Sequence, residues 1–256
     1  MLAVQTGGRE GAPALLLLPG QANSHRWWDG LREPFEADFA VVTFDYRGTG
    51  ATGDATDVPM RDWSTRLFAQ DAVEVMTRLG HERFAVYGTS MGGRVAQMLA
   101  VDHPDRVTRL VLACTSPGGP HAVERTQEVR RLLADPDPRA RGRTLVDLFY
   151  TPAWSGRPSD SRLLGDPRMS SEASAAHLRV SARHDAWDDL PRLAAPTLVL
   201  HGSEDRMVPT ANAALLAERI PGALLHLHPG GRHGFFDEFA DEISPLAHDF
   251  LAGHGA

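Results

Sequence analysis

Six short apolar runs, spread along a chain of 256 residues, constrain the fold more than any other feature. They are Ala14–Leu18, Ala40–Asp45, Arg83–Gly88, Arg109–Cys114, Thr197–His201 and Ala223–Leu227. Each is nearly continuous in apolar character. A strand with one wet face alternates apolar and polar residues, whereas a strand covered on both faces has no polar side to show. The runs therefore predict strands of a parallel sheet buried between helices. Amphipathic stretches lie between them, and helices are predicted over Arg26–Ala37, Trp63–Leu79, Met91–Val101, Thr210–Ile220 and Phe235–Leu251. Strand alternating with helix gives a doubly wound α/β fold with a mostly parallel sheet.

The rhythm breaks once. Between residues 116 and 195 no strand pattern occurs, only helical patterns (Ala122–Ala134, Arg139–Phe149, Ser170–Ala186) punctuated by Pro136, Pro138, Pro152, Pro158 and Pro167. Eighty residues of structureless loop do not fit a compact domain. The division expected is a core of residues 1–115 and 196–256 with a helical cap, 116–195, inserted between two strands. A cap over the strand ends would enclose an apolar pocket.

Composition excludes several functions. A net charge of −7 leaves no basic stripe for nucleic acid. All 26 basic residues are arginine, which removes lysine-based Schiff-base chemistry. Cys114 is the one cysteine, so no internal disulfide can form and a thiolate-ligated zinc site is not expected. His226, His228 and His233 lie close in sequence but have no carboxylate at ligand spacing, and strand histidines are the preferred reading over a metal site. No metal or cofactor is expected. Leu15–Leu18 is too short for a signal peptide or a membrane span, and the expected location is cytoplasmic.

Gly88-Thr89-Ser90-Met91-Gly92-Gly93 reads G-x-S-x-G and falls between a predicted strand and a predicted helix. A serine on so sharp a turn is strained, and its hydroxyl stands above the sheet. Ligands of doubly wound sheets bind beyond the carboxyl ends of the strands, so the polar residues that follow each strand matter. Ser90, Asp205 and His233 each follow one, in that chain order. A serine hydroxyl needs a histidine to accept its proton, and the histidine needs a carboxylate to fix its tautomer.

These segments, with His201-Gly202-Ser203-Glu204-Asp205 and Gly231-Arg232-His233-Gly234-Phe235-Phe236, resemble the nucleophile elbow, acid loop and histidine loop of the α/β-hydrolase superfamily. The resemblance covers nearly the whole chain outside the cap. It implies Ser90 as nucleophile, His233 as base and Asp205 as acid; Glu204 competes for the last role, but the superfamily's G-x-x-D-x-x-V-P loop favours Asp205. It also implies an oxyanion hole from the backbone N–H groups of Met91 and Gln21. Pro19 stands where relatives often carry a histidine that braces the Gln21 loop.

Three further residues are candidate substrate contacts. Trp28, beside Trp27, and the cap residue Trp154 could line a pocket, although packing is the commoner role for each. Arg94, one helical turn after Ser90, could anchor a substrate carboxylate or be a structural arginine paired with Asp71 or Asp102. The function expected is hydrolysis of a small carboxylic ester or lactone through an acyl-serine. The alternatives are a carbon–carbon bond hydrolase or lyase acting on a carboxylate-bearing metabolite, and a non-catalytic small-molecule receptor. The sequence does not specify an oligomeric state.

Overall fold

The computed structural model describes residues 1–54 and 57–254. Residues 55, 56, 255 and 256 of the expected core lie outside the described residues. Seven strands form one sheet: β1 (Val4–Gly8), β2 (Ala14–Leu18), β3 (Ala40–Phe44), β4 (Phe84–Thr89), β5 (Val107–Ala113), β6 (Thr197–Gly202) and β7 (Leu224–His228), in the order β1-β3-β2-β4-β5-β6-β7. All neighbours are parallel except β1, which pairs antiparallel with β3 from Val4↔Phe44 to Gly8↔Ala40. The doubly wound, mostly parallel sheet expected from the apolar runs is present.

The reason those runs are continuous is visible in β2. Leu16 and Leu18 face a cluster that includes Phe68, Val75, Val95 and Leu99, whereas Leu15 and Leu17 face Phe35, Ile243, Ala247 and Phe250. The first set comes from α2 (Thr65–Arg78) and α3 (Met91–Asp102). The second comes from α1 (Glu33–Glu36) and α9 (Ala240–Ala252). Both faces of β2 are thus covered, and each of its positions is apolar because neither face meets water. α7 (Ala211–Arg219) adds Ala213 and Leu216 to the first cluster.

Between β5 and β6 the named elements are α4 (Gln127–Leu133), α5 (Pro138–Phe149), α6 (Ser171–Ala182) and a 3-10 turn, Leu190–Arg192. Their starts are chemically marked. Asp137 accepts from the N–H groups of Arg139 and Ala140 ahead of α5, with Pro138 at its first position. Ser170 accepts from Ala173 N–H ahead of α6. α6 buries Ala173, Ala176, His177 and Val180, a single face at helical spacing, against the core.

Four sequence expectations change. β1 was not anticipated: Val-Gln-Thr-Gly-Gly is a mostly exposed edge with no apolar run. The helix expected over Arg26–Ala37 is a 3-10 turn (His25–Trp28) and α1, separated by Gly30 at φ 80°, which a helix does not permit. The helix expected over Phe235–Leu251 divides at Phe239 into α8 (Phe235–Glu238) and α9. The run expected to be a buried strand, β7, is an edge strand. Leu224, Leu225 and Leu227 are 49%, 41% and 42% exposed.

Candidate active site

Beyond the carboxyl ends of β2, β4 and β5 lie the three non-glycine residues with positive φ among the described residues: Ala22 (57°), Ser90 (52°) and Cys114 (43°). Such conformations cost about 1–3 kcal/mol each and persist only where their surroundings enforce them. Around Ser90 the enforcement is explicit. Its N–H donates to Ala113 carbonyl at 2.9 Å, and the Thr115 hydroxyl donates to its carbonyl at 2.7 Å. The chain then turns at once into α3. Side chains are excluded there: a Cβ on Gly92 would overlap the Leu18 carbonyl, and one on Gly88 the Gly92 carbonyl. The G-x-S-x-G pattern is thus a steric requirement of this strand-to-helix turn.

Ser90, His233 and Asp205 come together from segments far apart in sequence. His233 Nε2 lies 3.1 Å from Ser90 Oγ, and His233 Nδ1 lies 2.7 Å from Asp205 Oδ2. In this arrangement Nδ1–H donates to the carboxylate, and Nε2 is free to accept from the serine hydroxyl. Asp205 and His233 are buried. The carboxylate is held on all sides, with Oδ1 accepting from the N–H groups of Met207 (2.8 Å) and Val208 (2.9 Å). His201 Nε2 also approaches Oδ2 at 3.2 Å. Burial alone would raise the Asp205 pKa, but attraction and hydrogen bonds from His233 and His201 outweigh it. The carboxyl stays well below its usual range and remains ionised at neutral pH. Glu204, the competing acid, is exposed.

Gln21 and Met91 face the same cavity as Ser90 and His233, and neither backbone N–H has an acceptor among the described residues. The cavity has a volume of about 470 Å³. Its wall includes Phe149, Leu163, Leu178 and Met207.

Two of the candidate contacts lie away from the cavity, and the third, Arg94, lines it without its expected partners. Trp28 is buried in the core against Tyr87, with ring centres 5.1 Å apart, and does not line the cavity. Its neighbour Trp27 does, stacked on Phe236 at 5.7 Å. The 3-10 turn points successive residues in different directions, which sequence spacing alone cannot assign. Trp154 stacks on Tyr150 at 3.9 Å and lines a separate surface groove with Arg139 and Arg232. Arg94 lines the cavity, but neither expected carboxylate reaches it: Asp71 pairs with Arg47, and Asp102 with Arg66.

One residue of this site escapes sequence reasoning altogether. His177, on α6, accepts from Ala22 N–H through Nδ1 at 3.3 Å and donates to Arg47 carbonyl through Nε2 at 2.8 Å. It therefore braces the residue after Gln21 from α6. Pro19 at the usual bracing position is the only trace of this in the sequence. Burial pushes the His177 pKa down to about 4, so the ring is neutral, as both hydrogen bonds require. Unfolding lets it take up a proton near its ordinary value. Stability therefore falls as the pH drops from about 6.5 towards 4, by up to about 3 kcal/mol for a shift of this size. Buried His184, whose pKa is also lowered by burial, acts in the same direction. A series of urea melts across this range should show a shallower acid limb in His177→Gln; an unaltered slope would contradict this reading.

With the geometry in place, comparison with known proteins decides the family. The model described as the alpha/beta hydrolase fold matches residues 13–240. The chain belongs to this family. Among its hydrolase relatives, BPHL of Homo sapiens, named a serine hydrolase, is 30% identical over 258 residues, 96% of this chain and 81% of its own. RutD of Caulobacter sp. (strain K31), whose name assigns it to carbamate hydrolysis, is 28% identical over 260 residues, 99% of this chain and 96% of its own. The solved structure of Est816, titled as an N-acyl homoserine lactone degrading enzyme, superposes with a TM-score of 0.79 at 25% identity, covering 98% of this chain and 96% of that one. Among the described residues, no helix is long and apolar enough to cross a membrane.

Proposed function

We propose that this α/β hydrolase is a serine hydrolase that cleaves a small carboxylic ester or lactone through an acyl-Ser90 intermediate. The observation that carries the reading is the continuous relay from Asp205 through His233 to Ser90 Oγ, which ends at the wall of a cavity. His233 Nε2 takes the hydroxyl proton as Ser90 Oγ attacks the acyl carbon. Asp205 stabilises the imidazolium so formed. The oxyanion is received by Met91 N–H at the start of α3 and by Gln21 N–H. Collapse breaks the bond to the alkoxy group, which leaves with the proton from His233. Water then attacks the acyl group, again deprotonated by His233, and Ser90 is regenerated.

Residues 116–195 serve in this reading as the cap. The support is that α4, α5 and α6, or the loops beside them, contribute Leu133, Leu145 and Leu178 to the cavity wall. Short esters and lactones are the substrates to try first, and Ser90→Ala should cut their turnover by about 10³-fold or more. A variant with wild-type turnover would remove Ser90 from the mechanism.

A further inference from the structure

The cavity beside Ser90 carries an imbalance of charge that ester cleavage alone does not need. Three arginines line it: Arg94, Arg125 and Arg141. The one acidic side chain in the wall, Asp166, is occupied, accepting from the N–H groups of Gly50 at 2.7 Å and Arg168 at 2.9 Å. Arg141 donates to the carbonyls of Asp135 and Pro136, just ahead of its own helix.

None of the three forms an ion pair with a carboxylate among the described residues. Arg94 and Arg125 are the two that burial desolvates. Arg94 donates Nη1 to the Ser181 carbonyl at 2.7 Å, in the last turn of α6, and Nη2 to Ser116 Oγ at 3.0 Å. Both acceptors are neutral, and a guanidinium has five N–H groups to place. Arg125 donates Nη1 only to Met207 Sδ, a weak acceptor. Glu124 lies near both, but its carboxylate is engaged by Arg130 at 2.9 Å, and Asp205 is committed to His233. Burial and the charge of Arg125 pull the Arg94 pKa down to about 10, and burial lowers that of Arg125. Two partly desolvated cations repelling across a cavity are a costly arrangement unless an anion comes between them.

We propose that Arg94 and Arg125 form a carboxylate subsite, and that the substrate is an ester or lactone bearing a free carboxylate, such as a half-ester of a small dicarboxylic acid. The proposal rests on the reading of Ser90 as nucleophile. Arg94 lies one turn along α3 from Ser90, so the subsite and the attacked carbonyl share one cavity. The forked guanidinium groups suit the two oxygens of a carboxylate. An acid of a few carbons fits the 470 Å³ available.

The test compares monoethyl succinate, glutarate and adipate with ethyl butyrate and ethyl valerate, using the full-length protein. Wild type should favour at least one half-ester by about tenfold or more in kcat/KM, and Arg125→Gln should cut that preference by about 10- to 100-fold, the value of a lost charge-assisted hydrogen bond. Arg125 is partly exposed, so this variant should fold; Arg131→Gln, an exposed arginine on α4, should keep the wild-type preference. Neutral esters cleaved as well as half-esters, or a preference unchanged in Arg125→Gln, would overturn the subsite. If no ester is cleaved, the Ser90 reading fails separately, and glutarate titrated by calorimetry decides the subsite. Binding to wild type at least about tenfold tighter than to Arg125→Gln would uphold it, and equal or absent binding would overturn it.

Discussion

Alanine at position 90 is expected to lower kcat/KM for short acyl esters by about 10³-fold or more, with His233→Ala equally damaged and the double variant hardly worse than either. The non-additivity is the informative part. Ser90 Oγ and His233 Nε2 are 3.1 Å apart and, in the proposed mechanism, act on one proton. Once either is gone, the other has nothing to give or take. Residual activity should then come from the oxyanion donors, which are backbone groups of other residues. Folding is a weak alternative explanation for the loss. The backbone at Ser90 is held by Ala113 and Thr115, and alanine keeps those contacts. The melting temperature of Ser90→Ala should therefore stay near wild type. Losses that multiplied in the double variant would show that the two side chains act in separate steps.

The second large effect separates the two acidic residues of the loop after β6. Asp205→Asn should cost on the order of 10⁴ in kcat, while Glu204→Gln should leave kcat within about twofold. Asparagine preserves the shape of Asp205 but not its acceptors. Its oxygen can still receive Met207 and Val208 N–H, so its NH₂ must face His233 Nδ1 and His201 Nε2. A donor then meets Nδ1–H. His233 relieves the clash by moving its proton to Nε2, which turns an N–H rather than a lone pair towards Ser90. Glu204 points to solvent and makes no contact with His233. A pH–rate comparison of the two variants on one ester measures this. A larger loss in Glu204→Gln would reassign the acid.

How much of this was legible before the structure depends on whether the physics was local. The strand runs were legible because burial on both faces leaves a continuous apolar signature, as Leu15 to Leu18 show. The elbow was legible because its glycines answer a steric demand within five residues. β7 misled because an edge strand can keep leucines that a buried strand would need. β1 left no apolar signal, and Gly30 interrupts a helical pattern with one residue. Trp27 and Trp28 show the limit of spacing: adjacent indoles in a 3-10 turn divide between cavity and core, and only the packing of Phe236, Phe149 and Tyr87 decides which goes where. Arg94 was legible as a residue to question, but its neutral acceptors and the proximity of Arg125 belong to tertiary structure. His177 was invisible for the same reason. Its helical face reads as core, which it is, and its bond to Ala22 spans 155 residues.

The proposed mechanism requires a covalent acyl bond at Ser90. Mass spectrometry of an ester turnover mixture quenched in acid should find the acyl group on the peptide containing Ser90, in wild type and not in Ser90→Ala. Turnover of the same ester with no acyl mass on that peptide, or an acyl mass that persists in Ser90→Ala, would contradict it.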